Sequence, residues 1–122
     1  MNGSSLIVLD TNIILYHLSD RLQEPLANRQ YAISIITEIE LLSYSKLEPD
    51  EKVKIEEFIN KTTVVELRNA VKIETIKLRQ KYALKTPDAI IAATALRLKA
   101  LLITNDKKLL SIPEIESQSL AI

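Results

Sequence analysis

Carboxylates are the chemistry that this chain offers. It has no cysteine and one histidine, His17, which removes thiolate nucleophiles, disulfides and cysteine-held zinc. Four acidic positions have distinctive settings. Asp10 follows the apolar run Leu6-Ile7-Val8-Leu9, and Asp106 closes Ile103-Thr104-Asn105-Asp106 after a second such run. Asp88 stands in Thr86-Pro87-Asp88, ahead of Ala89-Ile90-Ile91-Ala92-Ala93-Thr94-Ala95. The fourth comes from Thr37-Glu38-Ile39-Glu40-Leu41. Three or four carboxylates gathered at one place repel, and their pKa values rise unless a cation neutralises them. An oxygen-only ligand set suits Mg²⁺ or Mn²⁺ better than zinc. Such an ion, or a pair, can activate water and stabilise an in-line phosphoryl transition state. The chemistry indicated is phosphodiester hydrolysis.

Each acid also has a plain structural explanation. Asp10 can cap the helix that follows it, although Thr11 or Asn12 could do that instead. Asp106 can be a turn or cap residue, and Asp88 can simply complement a helix dipole. Thr37 and Glu40 have the spacing of a capping box, whereas Glu38 can be a solvated first-turn acid. The residues alone leave the choice between Glu38 and Glu40 open.

The elements that must position these acids are legible from periodicity. Thr86 suits an N-cap and Pro87 the first helical position, where its missing N–H costs nothing. Asp88 then falls in the first turn of a helix that is apolar over most of its circumference, hence buried. It shares a face with Ala92 and Ala95, so it points inward and needs a partner. Leu6-Ile7-Val8-Leu9, Tyr31-Ala32-Ile33-Ser34-Ile35-Ile36, Thr62-Thr63-Val64-Val65-Glu66-Leu67 and Ala100-Leu101-Leu102-Ile103 read as strands. Helices are expected after Asp10 (Ile13, Ile14, Leu15, Leu18) and from about Thr37 (Ile39, Leu41, Leu42, Leu47). Two more follow Asp50 (Val53, Ile55, Phe58, Ile59) and Asn69 (Val71, Ile73, Ile76, Leu78, Tyr82), and a short one spans 107–110. Residues 19–30, polar with Pro25, read as a broken connection, and the weakly patterned tail from Pro113 can add an edge strand. Strands alternating with helices give an α/β fold with a parallel sheet covered on both faces. In such sheets ligands bind outside the carboxyl ends of the strands, where Asp10 and Asp106 are both expected.

Composition sets outer bounds. The 122 residues suit one domain spanning 1–122, and the 47% hydrophobic fraction is that of a globular protein. No apolar run nears the ~20 residues of a membrane span, and Met1-Asn2-Gly3-Ser4-Ser5 lacks the basic start of a signal peptide. A cytoplasmic protein is expected. Sixteen basic and sixteen acidic residues cancel, which argues against a broad phosphate-tracking surface. Lys85, Lys107 and Lys108 nonetheless flank two of the acids and could meet phosphates locally. His17, Tyr44 and Tyr82 read as ordinary helix residues, and Glu56 and Glu57 with Lys52 and Lys54 as a solvated helix face.

Leu9-Asp10-Thr11-Asn12, Thr37-x-x-Glu40-Leu41, Thr86-Pro87-Asp88-Ala89-x-Ile91-Ala92-Ala93-Thr94-Ala95 and Ile103-Thr104-Asn105-Asp106 resemble the four motifs of PIN-domain ribonucleases, in particular the VapC-type toxins of toxin–antitoxin pairs. The resemblance covers almost the whole chain, and the segment from Pro87 to Ala95 is its most specific part. It implies a three-layer α/β/α sandwich on a parallel sheet. By it, Asp10, Glu40, Asp88 and Asp106 form an acidic quartet holding Mg²⁺ or Mn²⁺, which selects Glu40 over Glu38. Asn12 would orient Asp10, and Thr104 would lie close to the substrate or to a water on the metal. The implied activity is endonucleolytic cleavage of single-stranded RNA, leaving a 3′-hydroxyl and a 5′-phosphate. The implied partners are a second copy of the chain, in a homodimer, and a cognate antitoxin whose tail covers the acidic pocket. Two features depart from the pattern. Glu114-Ile115-Glu116-Ser117-Gln118 is polar for a final strand, and Ser43-Tyr44-Ser45 replaces a glycine that many relatives have.

Other classes fit less well. A non-catalytic PIN-like module binding RNA or protein has no reason to retain four acids. A phosphatase built on Asp10 would want an acid where Asn12 stands, and a phosphoacceptor domain would want acids at Ser4-Ser5. A flap-cleaving DNA nuclease needs segments that so short a chain lacks.

Overall fold

Short apolar strands alternate with helices along the chain, and each strand finds a parallel partner. A computed structural model describes residues 6–122; the reading of Met1 to Ser5 lies outside the described residues. The strands are β1 (Ile7–Leu9), β2 (Tyr31–Ser34), β3 (Thr63–Val65), β4 (Leu101–Ile103) and β5 (Ser117–Gln118). The helices are α1 (Thr11–Leu18), α2 (Ile35–Leu42), α3 (Pro49–Asn60), α4 (Asn69–Tyr82), α5 (Thr86–Leu98) and α6 (Lys107–Leu110). The sheet order is β3-β2-β1-β4-β5, with every pairing parallel. The tail does supply a fifth strand, pairing Ser117 with Leu102 and Gln118 with Ile103. Its polarity suits an edge, where one side has no neighbour to cover it.

Side-chain alternation splits the sheet into two apolar faces. Val8, Ala32 and Leu102 pack with Val71 and Leu78 of α4, most of α5, and Leu109 of α6. Ile7, Leu9, Ile33 and Ile103 pack with Ile13 and Ile14 of α1, Leu41 of α2, and Ile55 and Ile59 of α3. The result is the expected α/β/α sandwich. The alanines of α5 bring its backbone close to the sheet, and Ala89, Ala92, Ala93 and Ala95 are all fully buried.

Several local expectations change. α2 begins at Ile35, not Thr37, because Ser34 caps it by accepting from the Ile36 N–H. Thr37 and Glu40 therefore form no capping box. Asp50 is not the cap of α3; Glu48 is, through a capping box with Glu51. The N-cap of α5 is Lys85, whose carbonyl accepts the Ala89 N–H at 2.9 Å, so Thr86 is its first residue and Pro87 its second. The proline still occupies a position whose N–H needs no helical partner. On α4 the buried face is Val71, Thr75 and Leu78, the spacing of four and seven that one helix face requires. Ile73 and Ile76 are about half exposed, at 45% and 51%. Ile39 and Leu42 of α2 and Val53 of α3 are exposed as well.

Candidate active site

The acids meet at the carboxyl end of the sheet because two adjacent strands stop there. Asp10 directly follows β1, and its N–H extends the ladder to β4 by bonding the Ile103 carbonyl at 3.0 Å. Its side chain is buried and doubly held. Oδ1 accepts the Thr11 N–H at 2.7 Å, and Oδ2 accepts the Thr104 hydroxyl at 2.6 Å. Thr104 Oγ1 accepts in turn from the Asp106 N–H at 3.0 Å. Asp106 Oδ1 takes the Leu109 N–H at 3.1 Å and so caps α6. A cap and a member of the acidic group are thus one residue.

Glu40 reaches the group from α2 through Thr11. The Thr11 hydroxyl lies 2.7 Å from Glu40 Oε1 and 3.1 Å from Thr37 Oγ1. Glu38, two residues earlier, lines a groove against α3 with Leu42, Glu56 and Ile59. Helix geometry sends the two glutamates to different surroundings. Asp88 stands in the first turn of α5, partly buried, with no ion pair among the described residues.

The acids also interact electrostatically. Burial raises the Asp10 carboxyl above its ordinary pKa, Thr104 and the Thr11 N–H oppose that rise, and the charges of Asp106 and Glu40 add to it. Asp88 is also raised, first by burial and then by Asp106 and Asp10, with Lys85 and Lys108 pulling it back. All four acids therefore feel one another, directly or through a shared neighbour. Lys85 and Lys108, two of the three lysines singled out in the sequence, act on Asp88.

Among the described residues no three acids close around a single point as a preformed cage. A hard ion such as Mg²⁺ keeps several waters and takes only one or two carboxylates directly. The donors are all oxygen, each carboxylate retains free lone pairs, and burial and the neighbouring acids raise Asp10 and Asp88. A divalent cation suits that arrangement.

Two sequence expectations change at this site. Asn12 is exposed on α1 and makes no side-chain hydrogen bond among the described residues; Thr104 and the Thr11 backbone orient Asp10 instead. Thr11 and Thr37, cap candidates by sequence, bond Asp10, Glu40 and each other. Their signal was present in the chain, since Thr11, Thr37 and Thr104 lie one, three and two residues from an acid of the group. His17 lies apart from the acids, in a cleft of about 530 Å³ at the amino ends of β2 and β3 with Arg29, Tyr31, Phe58 and Lys61. Its Nδ1 accepts the Leu26 N–H at 3.2 Å. Lys61, the C-cap of α3, puts a cation at the carboxyl end of that helix.

This sheet, with its acids gathered at the ends of β1 and β4, is that of the PIN domain, whose family model matches residues 7–115. The chain belongs to the PIN domain family. No curated protein matches it significantly in sequence. Solved structures do resemble it. A chain of VapBC2 from Rickettsia felis, bound to a promoter DNA fragment, is 23% identical with a TM-score of 0.79, over 94% of this chain and 98% of that one. A toxin–antitoxin complex from Klebsiella pneumoniae is 27% identical with a TM-score of 0.68, over 89% and 94%. VapBC-1 from nontypeable Haemophilus influenzae is 25% identical with a TM-score of 0.73, over 93% and 97%.

Proposed function

We propose that this protein is a Mg²⁺- or Mn²⁺-dependent endoribonuclease that cleaves single-stranded RNA and serves as the toxin of a toxin–antitoxin pair. The observation that carries the reading is the meeting of Asp10, Glu40, Asp88 and Asp106 at one end of the sheet, with Asp10 and Asp88 raised by burial and by the other acids. The divalent ion, when bound, supplies charge neutralisation and activation of water for attack on a phosphodiester. Asp10, Glu40, Asp88 and Asp106 would hold it, directly or through its waters, and the protein fixes their directions. Thr104 orients Asp10 and ties it to the backbone of Asp106, while the buried α5 fixes Asp88 against the sheet. Lys85 and Lys108, which act on Asp88, are placed to meet substrate phosphates beside the acids.

The toxin role is supported by the family and by the toxin–antitoxin complexes among the structural relatives. It brings a cognate antitoxin as partner and includes a homodimer, for which exposed Ile73 and Ile76 offer apolar surface. No helix among the described residues is long and apolar enough to cross a membrane. The test is cleavage of a single-stranded RNA in Mg²⁺ or Mn²⁺ by the wild type and by Asp10→Asn and Asp88→Asn. Loss of cleavage in both variants is expected. Undiminished cleavage would overturn the site, and a folded wild type that binds neither ion by calorimetry would favour a non-catalytic PIN-like module.

A further inference from the structure

We infer that Thr11 is a positioning residue whose hydroxyl, itself oriented by Thr37, sets the Glu40 carboxylate for a divalent cation. This rests on the metal-dependent reading above. A threonine hydroxyl has one proton, yet two oxygens lie within its reach, Glu40 Oε1 at 2.7 Å and Thr37 Oγ1 at 3.1 Å. An ionised carboxylate only accepts, and the bond to it is the stronger because it is charge-assisted. The Thr11 proton therefore goes to Glu40, and Thr37 donates to Thr11. Both threonines are buried, Thr37 completely, so bulk water does not compete. A relay of this kind polarises along its length and holds one geometry.

Thr75 and Thr94, deep in α4 and α5, turn their hydroxyls back onto the carbonyls four residues earlier, Val71 at 2.7 Å and Ile90 at 2.8 Å. Thr11 and Thr37 stand in the first turns of α1 and α2, where their own helix has no such carbonyl, and their hydroxyls bond each other and, from Thr11, Glu40. Thr11 does more than hold Glu40, because its N–H also bonds Asp10 Oδ1 at 2.7 Å. One residue thus sets two acids carried by different elements. The Thr11 bond occupies one oxygen of Glu40 and leaves the other free to face a cation. The branched Cβ of threonine limits rotation about χ1, which keeps the hydroxyl on target.

The test measures Mn²⁺ affinity by calorimetry on the full chain, with the thermal unfolding of each variant recorded in EDTA. Thr11→Val keeps the volume and loses the donor. It is expected to weaken Mn²⁺ binding by about tenfold to a hundredfold, the usual effect of removing a group that orients a metal ligand. Thr11→Ser restores most of the affinity, and Thr37→Val gives a smaller loss of the same sign. In a Glu40→Gln background, Thr11→Val causes no further loss, since its effect passes through Glu40. Wild-type affinity in Thr11→Val would overturn the inference, and so would an undiminished extra loss in the Glu40→Gln background. A wild type that binds no Mn²⁺ would instead overturn the metal-dependent reading, and the inference with it.

Discussion

Asp88 and Asp10 carry charge in a setting that disfavours it. Both have carboxyls raised above the ordinary value of 3.8, with burial as the largest cause in each. A raised carboxylate means that the native state binds more protons than the unfolded state between 3.8 and the raised pKa. Stability is then greatest below that window and falls as pH rises through it. Asp88, with no ion pair among the described residues, is the cleaner residue to test. In EDTA at neutral pH, Asp88→Asn is expected to melt above the wild type, with the difference shrinking as pH falls toward 4. Adding Mn²⁺ should raise the wild-type midpoint and leave that of the variant nearly unchanged. Calorimetric melts across pH would show this, and a variant less stable than wild type at pH 7 would contradict it. Such a trade of stability for function is common at active sites. The Thr11–Glu40 bond shows where reading of the chain stops. A capping-box spacing marked Thr37 and Glu40, but Ser34 takes the capping role and both side chains turn to α1.

At the level of elements, the helix ends are unusual because the only glycine is Gly3. α4 and α5 close with Ala83 and Lys99 in the left-handed region, each at φ 52°. A side chain there is disfavoured by roughly 1–2 kcal/mol relative to glycine's freedom, and glycine is the usual occupant of such caps. Ala83→Gly and Lys99→Gly are each expected to stabilise the protein by about 1 kcal/mol, the gain being offset in part by greater freedom of the unfolded chain. Denaturant melts with unchanged slope would read this directly; destabilisation by either would show that the side chain packs usefully. The buried α5 was legible because apolar residues cover most of its circumference. The buried face of α4 was not, since Ile73 and Ile76 carry a strong apolar signal and yet face outward, while Thr75 takes the inward position.

For the whole molecule, the two apolar faces of the sheet are built without the acids. Removal of divalent ions should therefore abolish RNA cleavage while leaving the far-ultraviolet circular dichroism spectrum unchanged, and Mn²⁺ should restore activity. Unfolding in EDTA would instead make the metal structural. In cells, induced expression should arrest growth and Asp10→Asn should relieve the arrest. What the amino-acid order determined by itself was the alternation of short apolar strands with helices, and with it the parallel sheet and the placing of Asp10 and Asp106 at strand ends. These follow from local periodicity, which is written in neighbouring residues. What only the tertiary structure decided was which threonines hold them, and which apolar side chains stay uncovered. Those outcomes depend on contacts between α1, α2 and the ends of β1 and β4, and no local pattern encodes a hydrogen bond from Thr11 to Glu40.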